Sequence, residues 1–275
     1  MMPTKISLFL FFCLFILGCS NEPSQKIIQG EAYGTTWQLK YFSENNEIPV
    51  EAIVIKELNR IDDLFSHYKN NSLTSLINDN KIAYKDADEE WKKLDQVGWE
   101  VHAKSNGYFN HKITGDYDFN SFAKGYAVDK VSNLLKANNI KNFMIEIGGE
   151  LRFEGLNNSK AWSFAIEDPT LSKTFHKKFS ILANLSIASS GNYRNPGHIL
   201  DPNTSEPSKT NLLSVTVIDE DSTTLADAWA TALFASKRED WLNLANVNNL
   251  NAYFIYDEDE KIKFISTSKW SDLVE

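Results

Sequence analysis

The sequence predicts an α+β fold. Helical periodicity dominates the first half of the chain, short strand-like runs dominate the second, and no βαβ rhythm links them. Val54, Leu58, Ile61 and Phe65 recur at 4-3-4 spacing, which predicts an amphipathic helix over residues 49–66. Trp91, Leu94, Val97 and Val101 form one stripe of a second helix over 87–104, and Ala123 to Ala137 reads as a third. Before them, Gly30 to Phe42 alternates in part and reads as a strand. After them come runs at Phe143–Ile147, Leu151–Phe153, Trp162–Ile166, Phe179–Leu182 and Leu212–Ile218. Asp221-Ser222-Thr223-Thr224 offers a cap for a helix over 224–236, and Asp240–Val247 reads as another. Tyr253–Tyr256 and Ile262–Ile265 predict a closing hairpin around Asp257–Glu260.

The N-terminus reads as a targeting segment rather than as part of the fold. Lys5 precedes an apolar run from Ile6 to Leu17, shorter than the roughly 20 residues that span a bilayer. Ile16-Leu17-Gly18-Cys19 resembles a bacterial lipobox. The expected organisation is a lipoprotein signal peptide over 1–18, a polar tether over 19–26 beginning at lipidated Cys19, and one domain over 27–275. Exported, lipid-anchored placement facing the periplasm or cell exterior follows as an expectation. The other cysteine is Cys13, inside the signal, so the domain has no disulfide and no cysteine-based metal or redox site. With 28 Lys and Arg against 37 Asp and Glu, and no basic stripe, a nucleic-acid partner is excluded as well.

The common dinucleotide, P-loop and zincin signatures are absent. The chemistry resides in other stretches. Asp118-Phe-Asn-Ser121-Phe-Ala-Lys124-Gly125-Tyr-Ala-Val-Asp129 sets a carboxylate, small polar residues and a lysine at a helix start, where backbone N–H groups and a cation can meet an anion. Read for structure alone, the same stretch is a capped helix with a solvated lysine. Asp227 and Thr231, four apart on a helix, place a carboxylate and a hydroxyl on one face. That is hard-oxygen chemistry suited to Mg²⁺ held partly by substrate phosphates, although an acid early in a helix also serves the helix dipole. Gly191 to Pro202 is a turn-rich loop with His198 and Asp201 close together; His198 is a candidate general base. Glu146-Ile-Gly148-Gly149-Glu150 reads as a glycine turn between strands.

Taken in order, Gly30 to Trp37, Ile61 to Tyr68, Asp118 to Asp129, Glu146 to Glu150, Ser189 to Asn195, His198 to Pro202, Asn211 to Val217 and Ala226 to Phe234 resemble the successive motifs of the ApbE family. The resemblance implies an FAD:protein FMN transferase: FAD in a cleft, Mg²⁺ at its pyrophosphate, and FMN passed to a threonine or serine of an acceptor protein with release of AMP. By position, Asp227, Thr231 and the Ser121 carbonyl match the family's metal ligands. Tyr33, Tyr68, Asp118, Lys124 and Ile199, with Tyr108-Phe109-Asn110, match its flavin-nucleotide contacts, and His198 or a nearby carboxylate would take the hydroxyl proton. The implied partner is an exported or membrane-bound flavoprotein subunit. Two other activities use the same residues: FAD binding without transfer, and FAD hydrolysis to FMN and AMP.

The pattern departs from the family at one place. Several dozen residues that normally lie between the equivalents of Asn110 and Asp118 are reduced to His111–Tyr117, and Asn110 stands where the family carries an acid. The expectation is a shortened wall on one side of the nucleotide cleft.

Overall fold

A single hairpin replaces the long first strand expected from the alternation. The structure, a computed structural model, describes residues 24–43, 48–171, 174–193 and 196–275. In it β1 (Ser24–Ala32) and β2 (Thr35–Ser43) pair antiparallel from Ser24↔Ser43 to Ala32↔Thr35. Tyr33 and Gly34 turn the chain with φ of 55° and 71°, the left-handed region in which glycine meets no Cβ penalty. Residues 24–26 are therefore paired strand rather than tether, and the lipobox with Cys19 lies outside the described residues.

The expected helices follow: α1 (Val50–Phe65), a short α2 (Leu73–Asn78), α3 (Glu89–Lys104) and α4 (Ala123–Ala137). α1 buries Val50, Val54, Leu58, Ile61 and Phe65, the stripe its spacing dictates. Then come β3 (Phe143–Ile147), β4 (Glu150–Glu154), β5 (Ser163–Glu167), β6 (Phe175–Ser180), β7 (Leu185–Gly191) and β8 (Leu212–Asp219). α5 (Thr223–Ala235), α6 (Trp241–Val247), β9 (Asn251–Glu258), β10 (Lys261–Ser266) and α7 (Trp270–Leu273) complete the chain. β7 adds a strand to those read from the sequence, and β6 begins four residues before the expected run and ends inside it, at Ser180.

Among the described residues the main sheet has eight antiparallel strands in the order β1-β2-β3-β4-β7-β8-β9-β10, with β5 and β6 forming a separate hairpin. The period-2 alternation of strands sorts their side chains into two cores. Phe143, Ile145 and Ile147 join Val215 and Val217 under α1, α4 and α5, whereas Met144, Ile187 and Ile218 face the β5–β6 hairpin and Trp270. α5 packs on β7 and β8, and α4 lies beside it.

The docking of α4 on α5 positions the site. Asp129 of α4 accepts from Thr223 N (2.7 Å), Thr224 N (2.9 Å) and Thr224 Oγ1 (2.7 Å), so one carboxylate satisfies the free N–H groups of another helix's first turn. Gly125 makes the close approach possible: a Cβ there would stand 2.4 Å from the Thr223 carbonyl oxygen and 2.9 Å from the Cβ of Asp227.

Candidate functional site

A cleft of about 920 Å³ opens at the end of the sheet formed by the β1–β2 and β3–β4 turns, within the range of roughly 300–1,000 Å³ usual for small-molecule sites. Every candidate contact residue of the domain named above lines it: Tyr33, Tyr68, Tyr108, Phe109, Asn110, Asp118, Ser121, Lys124, His198, Ile199, Asp227 and Thr231. The shortened segment contributes too, through Ile113 and Thr114.

The floor is built where α4 meets α5. The Asp227 Oδ2 accepts from the Gly125 N–H at 3.0 Å and lies 3.9 Å from Lys124 Nζ. The Thr231 hydroxyl donates to the Ser121 carbonyl at 3.2 Å and sits 3.5 Å from the Ser190 hydroxyl. Four-residue spacing on α5 thus delivers Asp227 and Thr231 to one face, as their separation requires. Lys124 Nζ also lies 3.4 Å from Glu150 Oε1.

This floor is charged but largely withdrawn from water. Burial opposes the Lys124 ammonium, yet Asp227 and Glu150 outweigh it and hold its pKa above the ordinary value. Burial raises Asp227 despite the attraction of Lys124. Glu150 is pushed up to about 8, by burial first, with the Asp227 charge adding and Lys124 opposing. Its Oε2 is buried and has no hydrogen-bond partner among the described residues. Glu150 was not among the sequence candidates: glutamate is usually solvated, and nothing local shows that it stands opposite Lys124. Its position directly after the glycine turn was the available signal.

The side walls are less uniform. Tyr68 is 78% exposed at the lip, its ring centroid 3.9 Å from that of His67, and its hydroxyl accepts from Asn120 Nδ2 at 3.3 Å. His67 Nδ1 lies 3.0 Å from Asp118 Oδ1, which also accepts from Asn120 N. Tyr33 spends its hydroxyl on the Leu58 carbonyl (2.8 Å), and burial raises its pKa well above the phenolic range, so its part is structural support. Tyr108 likewise donates to Asp240 Oδ2 at 2.7 Å. The Phe109 ring is fully buried against Phe122 and backs the wall from the core. His198 sits on the loop after β7, exposed at the rim, while its neighbour Ile199 is buried.

A half-buried lysine between two buried carboxylates, a helix start, clustered oxygen ligands and an exposed aromatic lip are together suited to an aromatic small molecule that carries phosphates. The sequence profile of the ApbE family matches residues 33–115 and 112–254, and the chain belongs to that family. The two matched pieces meet within the shortened segment.

Among curated relatives, the FAD:protein FMN transferase of Vibrio cholerae serotype O1 is 35% identical over 162 residues, covering 56% of this chain and 48% of the relative. That of Haemophilus influenzae is 34% identical over 198 residues, covering 68% and 57%. That of Buchnera aphidicola is 26% identical and covers 82% and 84%. The first two alignments thus span about half the length of the relatives they match. In three dimensions, the flavin transferase ApbE from Vibrio cholerae superposes with a TM-score of 0.82 at 23% identity, over 91% of this chain and 99% of that one. The apo form of the Pseudomonas stutzeri flavinyl transferase ApbE gives 0.79 at 26%, over 92% and 97%. These likenesses bear out the α+β fold.

Proposed function

We propose that this chain is an FAD:protein FMN transferase, moving FMN from FAD to a threonine or serine hydroxyl of an acceptor protein. The observation that carries the reading is the convergence of Lys124, Asp227, Thr231 and the Ser121 carbonyl on the cleft floor beside the start of α4. The names of the relatives support it.

The donor set fits a hard divalent cation: one carboxylate, one hydroxyl and one carbonyl, all oxygen. Among the described residues no group of three or more acidic, histidine or cysteine side chains could hold a metal, which suits a magnesium ion whose remaining ligands are water and substrate phosphates. Magnesium held by Asp227, Thr231 and the Ser121 carbonyl would neutralise pyrophosphate charge. Lys124 supplies a second positive charge to the phosphates, and Tyr68 offers the flavin a flat face. The acceptor oxygen forms a bond to the FMN phosphorus as the bond to the AMP oxygen breaks. The hydroxyl proton passes to His198, and AMP leaves. We also propose export and lipid anchoring through Cys19; acyl labelling that persists in Cys19→Ser would refute it.

The test incubates protein truncated after Cys19 with FAD, Mg²⁺ and an exported electron-transfer flavoprotein subunit, read by intact mass. An FMN-sized gain on the acceptor, lost in Asp227→Ala, is expected. AMP release without any acceptor would establish the hydrolase instead, and FAD retained with no gain would establish a binding protein.

A further inference from the structure

Lys124 stands between two buried carboxylates that come from different elements, Asp227 on α5 and Glu150 at the start of β4. The ammonium is nearer Glu150, at 3.4 Å, than Asp227, at 3.9 Å. Its route there is shaped by the β3–β4 turn. A Cβ on Gly148 would lie 3.2 Å from Lys124 Cδ and 2.8 Å from Thr35 Cγ2, so the lysine stem runs along a glycine surface toward Glu150. Gly148 and Gly149 both hold positive φ, 63° and 109°, which fixes the turn that delivers Glu150. Of the two Glu150 oxygens, one meets Lys124 and the other is buried without a partner among the described residues.

We infer that Glu150 is a positioning residue: it draws the Lys124 ammonium away from Asp227 and so leaves the Asp227 carboxylate open to a divalent cation. The physical reason is competition. In a water-poor pocket an unopposed ammonium closes onto the nearest carboxylate, and Asp227 already spends one oxygen on the Gly125 N–H. A cation then has to displace Lys124 before it can bind. With Glu150 present, the lysine keeps an oxygen acceptor when Asp227 turns to the metal, and the second Glu150 oxygen gives the ammonium room to move without losing one. Glu150 itself need not touch metal or phosphate. This inference rests on the metal reading proposed above.

The experiment is a magnesium titration by calorimetry on the full-length protein in detergent, with and without FAD, for wild type, Glu150→Gln, Lys124→Met and the double variant. Circular dichroism verifies folding of each. Glu150→Gln is expected to weaken magnesium by about tenfold, about 1.4 kcal/mol, a usual size for coupled neighbours. Adding Lys124→Met is expected to restore binding to within about twofold of Lys124→Met alone, because the competitor has gone. A folded Glu150→Gln protein that binds magnesium as wild type overturns the inference. So does a loss that persists in the double variant, which would make Glu150 a ligand or a structural support. Absence of magnesium binding in the wild type would instead remove the metal reading, and the inference with it.

Discussion

Two clusters of titratable side chains lie close to the same cleft, and they differ in what closes them. The pair Asp95–His111 joins α3 to the shortened segment, Nε2 to Oδ1 at 2.7 Å, with side chains 3% and 0% exposed. Tyr84 donates to the other Asp95 oxygen at 3.0 Å, and the rings of Trp99, Tyr117, Phe119 and Phe122 surround the imidazole. Gly98 lets the ring lie on the helix: a Cβ there would be 2.5 Å from His111 Cε1. In the Lys124–Glu150–Asp227 cluster the two carboxylates are buried and the lysine half-buried, and all three residues line the cleft. Each group leaves one buried polar atom without a partner among the described residues, His111 Nδ1 in the first and Glu150 Oε2 in the second, so access decides between them: a group sealed in aromatic rings holds elements together, and one that lines a cavity is available to a ligand. The first group thus explains how the wall survives a short connection, and the second how the floor can do chemistry.

The sharpest way to break this contrast is to exchange the expected consequences. Asp227→Ala should lower FMN transfer by about a thousandfold or more, since metal and phosphate charge would go uncompensated, while a urea melt moves by only about 1 kcal/mol. A large loss of stability would mean that the floor is structural. His111→Ala should do the reverse, destabilising the fold by about 3–5 kcal/mol because Asp95 is left buried with the Tyr84 hydroxyl but without the imidazole, with FAD affinity of the folded fraction kept. Equilibrium urea unfolding and FAD titration together decide it.

A pH series sharpens the comparison further. Glu150 binds its proton more tightly folded, near 8, than unfolded, near 4.5, so the folded state carries more protons between these values. Its contribution is complete below about 4.5 and is lost as pH rises through 8, with a slope of at most about 1.4 kcal/mol per unit. Metal-free protein should therefore lose stability across that window, Glu150→Gln should flatten the loss, and a slope unchanged in that variant would refute the assignment. The smallest effect belongs to the lip. Tyr68→Ala should leave stability unchanged and weaken FAD by about 3- to 10-fold, the worth of one aromatic stack, measured by flavin fluorescence.

Much of this architecture was legible beforehand because the signals were local. α4 and α5 followed from apolar spacing and from Ser222, whose side chain accepts from Leu225 N at 3.1 Å at the start of α5. The i,i+4 relation of Asp227 to Thr231 needed no tertiary information. Two strand assignments failed for want of such signals. The turn at Tyr33–Gly34 lacks the usual asparagine–glycine mark, and Leu185–Gly191 carries serines that resemble loop until β4 and β8 pair with it on both sides.

The sequence by itself determined the class of fold, the helices that carry the site and part of the cleft lining, because periodicity, caps and ordered motifs are encoded over short spans. Tertiary structure alone decided which of those residues act together. Asp129 docks one helix on another, Gly125 sets their distance, and the glycine turn brings Glu150 to Lys124. Tyr33, Tyr108 and Phe109 are taken up by support. Contacts between elements distant in the chain depend on packing and desolvation, and these exist only once the sheet and both cores have formed.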